Sequence, residues 1–432
     1  MYHYIGDLID QDIIIYCFFP HGSKKVPDLQ RLEQESVKLL ACDLARTVPM
    51  IMYDQEPLNF DLYENLPQET VEKWYQYHRP TTYMSLTPEL TSFITKQNLK
   101  FVFAGQTIHD QTLLCHSEKN SDQIALYEQH GYKGVYWWSH AFIARDWFRY
   151  AQHDAQLLRL AENYQKDFNI YNRAWSGTRE YRLKFLDLLI DNNLTDSCNV
   201  SFAPLDQDLH YLDHVFTNPE FKPNNDLCQI AKNQSPSYAS ADYSVKDYKQ
   251  CWFEVILETL FDDQRIHLTE KTLRPIACNK PFILVGPAGS LEYLKSYGFQ
   301  TFGDFFDESY DQEPNPVVRM EKILQLMKEL SAMSDRDKMQ LGQCMSAITR
   351  HNQSRFFSKE FAELIINELT DNVALAKQSC SQYKTGHDWT EFRKLMSHNP
   401  DNITYLTGDW PSKPKQDLIQ LLIDINRARS AD

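Results

Sequence analysis

Short apolar runs alternate with longer amphipathic segments through the first half of the chain. The runs have the length of buried strands and are far too short to span a bilayer. Between them, apolar residues recur at helical spacing with few breakers. Alternation of this kind predicts a parallel, doubly wound α/β sheet. In chain order the predicted strands are 12–19, 49–53, 99–104 and 134–138, and the predicted helices are 28–45, 69–77 and 141–150.

The alternation starts again near residue 166 and is interrupted by a polar, turn-rich stretch at about 203–250, which we interpret as an insertion. Thr178 is the expected N-cap of the first helix of this second half. Beyond residue 315 the pattern becomes mostly helical. The predicted strands are 168–171, 200–202, 252–256 and 281–285, and the predicted helices are 178–193, 269–278, 290–296, 317–333, 335–351, 358–371 and 415–427.

A chain of 432 residues is too long for one ordinary core and fits two domains of roughly 150–200 residues each. We predict an N-terminal Rossmann-like domain at 1–165 and a C-terminal Rossmann-like domain at 166–350. Residues 351–432 are expected to form a helical tail that packs back toward the first domain. Open α/β sheets bind ligands beyond the carboxyl ends of their strands, so we expect the substrate cleft there.

Charge and cysteine usage narrow the class of protein. The formal net charge of -15 gives no general electrostatic attraction to nucleic acid or anionic membranes, although it leaves a local basic patch open. The nine cysteines are scattered without paired metal-ligand spacing, which predicts reduced thiols and no zinc site. The first ten residues carry two acids and no Lys or Arg, unlike a secretory leader. These features predict a cytoplasmic protein without a bound metal or other cofactor.

The most informative segment is CWFEVILETLFDDQRIHLTEKTLRPIACNKPFILVG, residues 251–286. Thr269 is a suitable cap for a helix that begins after a loop. Glu270 falls in the first turn, where the helix dipole favours a carboxylate, and a carboxylate can accept both hydroxyls of a ribose. Lys271 beside it can neutralise a diphosphate. From the residues alone, an ordinary capped helix with surface charges explains the segment equally simply.

This segment resembles the nucleotide-sugar motif of GT-B fucosyltransferases and of related bacterial and phage glycosyltransferases. The resemblance covers roughly 60 of the 432 residues and carries no Asn-Ser pair after the acidic residue, so it does not extend to the sugar. It implies a GT-B fold and a UDP- or GDP-linked donor, with the ribose on Glu270 and the phosphates on Lys271. The matching positions are Glu258, Thr269, Glu270, Lys271, residues 281–286 and Ser290.

A second element is YNRAWSGTREYRLKFLDLL, which places three arginines around the start of a helix. Guanidinium groups and the free N–H groups of a helix N-terminus together form a good anion site. The resemblance assigns diphosphate binding to an arginine at this place, with Arg179 or Arg182 as the counterpart and Arg173 beside them. The alternative is a set of surface arginines that pair with Glu180 and Asp187.

The general base of such a reaction is expected from the first half of the chain. Asp54 and Glu56 follow a predicted strand end, although Asp and Pro there also suit an ordinary turn. His140 lies in an aromatic segment whose tryptophans form either a stacking wall for an acceptor or core. Asp206-Gln207-Asp208 has the Asp-x-Asp pattern that a metal-dependent GT-A transferase would need, but it follows no long strand.

These features together predict a glycosyltransferase that moves a sugar from a nucleotide sugar to an acceptor hydroxyl, without a metal and with inversion. The acceptor is either a glycan or a hydroxymethylated DNA base of the phage type. The alternative is a protein of the same fold that has lost catalysis and binds a nucleotide sugar or glycan. The donor site predicted is Arg173, Arg179, Arg182, Glu258, Thr269, Glu270 and Lys271, and the catalytic candidates are Asp54, Glu56 and His140.

Overall fold

The computed structural model describes residues 14–19, 48–53, 113–129, 133–157, 164–206, 208–230 and 242–380. These residues form a mixed α/β structure with two parallel sheets. They belong to two compact units. Of the described residues, 118–121 and 138–365 belong to the second unit, and the first contains the other sheet together with residues 366–380.

The first unit is built on four parallel strands, in the order β1-β2-β3-β4. The helix between β3 and β4, α1, buries Tyr127 completely, and its ring meets the ring of His116 edge-on at 6.2 Å. The last described helix is tied to this sheet, because Asn372 donates a hydrogen bond to the carbonyl of Tyr136 at 2.7 Å. The elements are β1 Ile14–Phe19, β2 Val48–Tyr53, β3 Leu113–His116, α1 Gln123–Gln129 and β4 Lys133–Tyr136.

The second unit contains a four-stranded parallel sheet in the order β10-β9-β5-β6. All seven residues of β9 are buried, as expected for a strand covered on both faces. A short antiparallel hairpin, β7–β8, follows β6. The strands are β5 Lys166–Asn172, β6 Cys198–Phe202, β7 Leu205–Asp206, β8 Leu209–His210, β9 Cys251–Leu257 and β10 Phe282–Val285.

Helices cover this sheet, and the longest of them come late in the chain. Four begin with a side-chain oxygen that accepts a hydrogen bond from a backbone N–H of the first turn, as N-caps do. The helices of this unit are α2 Ser139–Trp147, α3 Tyr181–Asp191, α4 Val245–Gln250, α5 Glu270–Ala277, α6 Ser290–Ser296, α7 Pro316–Ala332 and α8 Asp335–Phe357. The last described helix, α9 Lys359–Cys380, begins in this unit and ends in the first.

The winding of this sheet reverses between β5 and β9. From β5 the chain passes through α3 to β6 on one side, and from β9 it passes through α5 to β10 on the other. Right-handed crossovers in opposite directions place α3 and α5 on opposite faces of the sheet. The guanidinium of Arg274 in α5 lies 4.3 Å from the ring centroid of Tyr171, which identifies the face that carries α5. Ligands of such sheets bind at the carboxyl edge where the winding reverses.

The polar insertion is pinned to α3 by two buried carboxylates. Glu180 accepts hydrogen bonds from the backbone N–H groups of Thr217 and Asn218, at 2.9 and 2.6 Å. Asp187 accepts from the N–H groups of Asn224 and Asn225, at 2.9 and 2.8 Å. These two acids therefore hold the insertion rather than pairing with the arginines near them.

Most sequence-predicted elements within the described residues are confirmed to within a few residues, including α5 and α6. Among the described strands and α-helices, the short elements β3, α1, β7, β8 and α4 were not predicted. The predicted N-cap at Thr178 was wrong, because that residue lies in a 3-10 turn and α3 begins at Tyr181. The predicted strand 99–104 and helices 28–45, 69–77 and 415–427 lie outside the described residues.

The units divide at Trp138, whereas the sequence placed a boundary at residue 165. The indole of Trp138 is fully buried and donates to the carbonyl of Leu268 at 2.7 Å. Its ring also lies 4.6 Å from the ring of Tyr297. Because these contacts join the start of α2 to the loop before α5, α2 belongs to the second unit.

Trp138→Ala should therefore destabilise the second unit by about 3–5 kcal/mol, since it empties a core site and removes a buried hydrogen bond. Urea denaturation followed by tryptophan fluorescence and circular dichroism measures this loss. Trp147→Ala is the matched control, because that indole is 36% exposed and its loss should cost under about 1 kcal/mol. Equal losses for the two variants would contradict the assignment of Trp138 to the core.

Candidate functional site

The carboxylate of Glu258 fixes the start of α5 at the carboxyl edge of the sheet. Glu258 follows β9 directly and is fully buried. It accepts hydrogen bonds from the Thr269 N–H at 2.9 Å, the Thr269 hydroxyl at 2.8 Å, the Thr272 hydroxyl at 2.6 Å and the Thr259 N–H at 3.2 Å. Thr269 in turn caps the helix through the N–H of Lys271. With these donors engaged, Glu258 positions the site in this structure.

Glu270 lies in the first turn of α5, between the Lys271 ammonium and the His140 imidazole. Its carboxylate oxygens lie 2.8 Å from the Lys271 ammonium and 3.4 Å from the Nδ1 of His140. Burial by itself raises the pKa of a carboxyl group, but Lys271 and His140 together hold the pKa of Glu270 well below its usual value. Glu270 is therefore ionised at neutral pH and acts only as a hydrogen-bond acceptor. Lys271 keeps 19% of its side chain exposed, so a ligand can reach its ammonium.

A second carboxylate–imidazole pair lies against the first. The rings of His140 and His267 are 5.1 Å apart and inclined at 60°. The Nδ1 of His267 is 3.8 Å from Glu118, whose other oxygen lies 2.6 Å from Arg265. Residues Lys119 and Ile266 exchange backbone hydrogen bonds, which clamps these two segments together. The result is a continuous set of a guanidinium, carboxylates and imidazoles that leads from Arg265 to Glu270.

The sequence pointed to His140 and to Glu270 but not to Glu118, Arg265 or His267. Arg265 and His267 lie inside the segment 251–286. Their separation by two residues on an extended stretch was the sequence signal that could have identified them. Glu118 lies 147 residues before Arg265 and had no local signal. His140 was expected on the opposite domain from Glu270, whereas both lie in the second unit.

The three arginines of the second element have separate roles. Arg182 is 2% exposed, and its guanidinium donates to the carbonyls of Ala174, Leu257 and Glu258 at 2.5, 2.7 and 2.8 Å. It therefore ties the carboxyl ends of β5 and β9 together. Arg173 is exposed and Arg179 is half-buried, so these two remain the arginines that a ligand can contact.

The loop between β5 and α3 already holds an anionic group, which is the carboxylate of Asp206 from the protein itself. Asp206 accepts hydrogen bonds from the backbone N–H groups of Trp175 and Ser176, at 2.9 and 2.8 Å. Burial opposes ionisation of this carboxyl, but these hydrogen bonds and Arg179 lower its pKa below the usual value. The sequence indicated an anion site here, and the structure shows how the β7–β8 hairpin fills it.

The remaining sequence candidates divide between core and undescribed residues. Trp137 and Trp138 are 1% and 0% exposed, so the stacking wall suggested for an acceptor is core at these two positions. Trp147 and Tyr150 are the exposed aromatic side chains of this segment, at 36% and 65%. Asp54 and Glu56 lie outside the described residues.

The site as a whole combines one ionised acceptor, one reachable ammonium and two imidazoles at the carboxyl edge of a parallel sheet. Such a set suits a ligand that carries hydroxyls and negative charge together. Among the residues described here, no group of three or more His, Cys, Asp or Glu side chains is arranged to hold a metal ion.

No protein-family model, curated protein or solved structure matches this chain. Within the described ranges, no helix is both long enough and apolar enough to cross a lipid bilayer.

The depressed pKa of Glu270 predicts a specific acid dependence of stability. A carboxyl whose pKa is lowered by folding stabilises the protein fully above its unfolded pKa, about 4.3 for Glu. That stabilisation is lost as the pH falls through the lower folded value. The stability difference between wild type and Glu270→Gln should therefore be constant just above pH 5 and shrink below about pH 4.

Urea denaturation at intervals from pH 2 to pH 6 measures this difference. Glu292→Gln is the matched control, because Glu292 is 73% exposed and its ion pair with Lys295 is long, at 3.9 Å. The control should show almost no difference at any pH. A Glu270→Gln difference that does not change with acid would show that Lys271 and His140 do not stabilise the ionised carboxylate.

Proposed function

We propose that this protein is a cytoplasmic glycosyltransferase with two Rossmann-like domains of the GT-B type, and that its nucleotide-sugar donor binds at the start of α5. The observation that carries the proposal is the placement of Glu270 and Lys271 in the first turn of α5. Glu258 and Thr269 hold that turn at the carboxyl edge of a parallel sheet. This is where open α/β sheets bind nucleotides.

Each part of the donor has a chemical counterpart there. The ionised carboxylate of Glu270 accepts hydrogen bonds from the ribose hydroxyls. The Lys271 ammonium and the positive end of the α5 dipole attract the diphosphate. Negative charge grows on the diphosphate as the bond to the sugar breaks, so the same groups stabilise the transition state without a metal.

The acceptor hydroxyl needs a general base, and two candidates are open. His140 lies 3.4 Å from Glu270, a carboxylate that favours the protonated imidazole after proton transfer. Asp54 and Glu56 are the candidates from the first half of the chain. Direct attack on the sugar carbon would invert its configuration, with a glycan or a hydroxymethylated DNA base as the acceptor. His140→Asn and Glu56→Gln, assayed for turnover at saturating donor, separate the two candidates.

The first experiment follows thermal unfolding in EDTA with a panel of nucleoside diphosphates and nucleotide sugars. A ligand that binds only the native state stabilises it increasingly as its concentration exceeds its Kd. We expect a rise of several degrees with UDP or GDP derivatives and no dependence on EDTA. No rise with any nucleotide would overturn the proposal. Binding without transfer to glycan or DNA acceptors would indicate the catalytically inactive alternative.

Glu270→Ala and Lys271→Ala should each weaken binding of the selected nucleotide at least tenfold, because each removes one charge-assisted interaction. Isothermal titration calorimetry measures the affinity. Glu292→Ala and Lys295→Ala are matched controls, since they remove an acid from the first turn and a base from the last turn of helix α6. Affinities unchanged in both site variants would place the donor elsewhere.

A further inference from the structure

The edge where the winding reverses carries polar groups that the proposed donor contacts leave unused. Asn172 is the last residue of β5, and the pairing of Ile170 with Val255 continues to place it opposite Leu257. Arg182 joins the ends of these two strands, because its guanidinium donates hydrogen bonds to the carbonyl of Leu257 and to that of Ala174. Arg182 also donates to the carbonyl of Glu258, which is followed directly by Thr259. Asn172, Arg182 and Thr259 thus lie where β5 and β9 end, and we refer to them as the switch-point triad.

All three members of the switch-point triad bury a polar atom that has no hydrogen-bond partner among the described residues. These atoms are the amide oxygen and nitrogen of Asn172, the Nε of Arg182 and the hydroxyl of Thr259. The side chains are 0%, 2% and 3% exposed. Buried polar groups are nearly always hydrogen-bonded, so three at one place indicate a site for a ligand.

The two faces of the sheet differ sharply at this edge. Side chains alternate along strands, so Asn172 lies on the face opposite to Tyr171, which contacts α5. On the α5 face, the Glu258 carboxylate accepts four hydrogen bonds. On the α3 face, the switch-point triad has unused donors and acceptors. The ribose and phosphate contacts proposed at α5 therefore leave the polar atoms of the switch-point triad unused.

We propose that the switch-point triad binds the nucleobase of the donor, through a base edge that presents an N–H beside a carbonyl. This inference rests on the proposed function. The amide of Asn172 offers one donor and one acceptor side by side, which matches such an edge with two hydrogen bonds. The Nε of Arg182 adds a donor that requires a further acceptor on the base. Uracil supplies its second carbonyl and guanine its N7, whereas adenine has no N–H beside a carbonyl.

The base reaches these enclosed groups only when the loop between β5 and α3 shifts. Asp206 holds that loop through the N–H groups of Trp175 and Ser176. The β7–β8 hairpin that carries Asp206 exposes Leu205 and Leu209 and is short, so it can move with the loop. Asp206→Ala should accordingly speed association of the nucleotide, measured by stopped-flow fluorescence.

The central test uses Asn172→Leu, which keeps the size of the side chain and removes its polar atoms. If the triad serves a ligand, this variant should unfold at the same temperature as wild type or a higher one, because it no longer buries unpaired polar atoms. Its affinity for UDP or GDP should fall at least tenfold, and its affinity for inorganic pyrophosphate should not change. Thr259→Val provides a second, nearly isosteric variant with the same expected pattern.

Asn169→Leu is the matched control on the same strand and the opposite face. Its side chain accepts a hydrogen bond from Asn199 at 2.9 Å, so this variant should lower the melting temperature and leave nucleotide affinity intact. The inference would be overturned if Asn172→Leu, like Asn169→Leu, lowered the melting temperature and left the nucleotide affinity intact. Equal binding of ADP, UDP and GDP by the wild type would also overturn it.

Failure of this inference and of the proposed function can be told apart. If the Asn172 variant lost nucleotide affinity and the Glu270 and Lys271 variants did not, the base site would be supported and the donor contacts at α5 would be rejected. The reverse result would keep the donor site and reject the switch-point triad. A wild type that binds no nucleoside diphosphate would reject both.

Discussion

The structure around the site depends on one buried residue, Glu258. A buried polar group is tolerated only when hydrogen bonds replace the water it has lost. The carboxylate of Glu258 meets that demand with the backbone and side chains that begin α5. The backbone carbonyl of Glu258 accepts hydrogen bonds on the other side from Tyr181 and Arg182 of α3, at 2.6 and 2.8 Å. A single residue thereby joins the helices on both faces to the end of β9.

This arrangement explains why the chemically useful groups can be charged and still be held in place. Because Glu258 and Thr269 fix the first turn of α5, Glu270 needs no further support and can face Lys271 and His140. Preorganised charges of this kind lose little free energy to reorientation when a ligand arrives. The buried pair of His267 and Glu118 extends the same set, so the surroundings of His140 include groups that lie far away in the chain.

The parts of this arrangement that were predictable rest on local patterns. Thr269 was recognised as a cap, and Glu270 and Lys271 as first-turn residues, because capping depends on residues within one turn of each other. The roles of Arg182 and Asp206 were not predictable. A guanidinium beside a helix start suggests an anion, and only the packing shows that its partners are carbonyls at the ends of β5 and β9. Asp206 fills the anion position from a hairpin about thirty residues away.

The sequence by itself determined the α/β class, the order of strands and helices in the second unit and the start of α5, because hydrophobic period and capping act over a few residues. Only the tertiary structure decided which unit holds α2, which of the arginines is buried, and that His140 meets Glu270. It also decided that Asn172 and Thr259 share one edge with Arg182. These facts depend on which strands lie side by side, and that order is set by packing between residues distant in the chain.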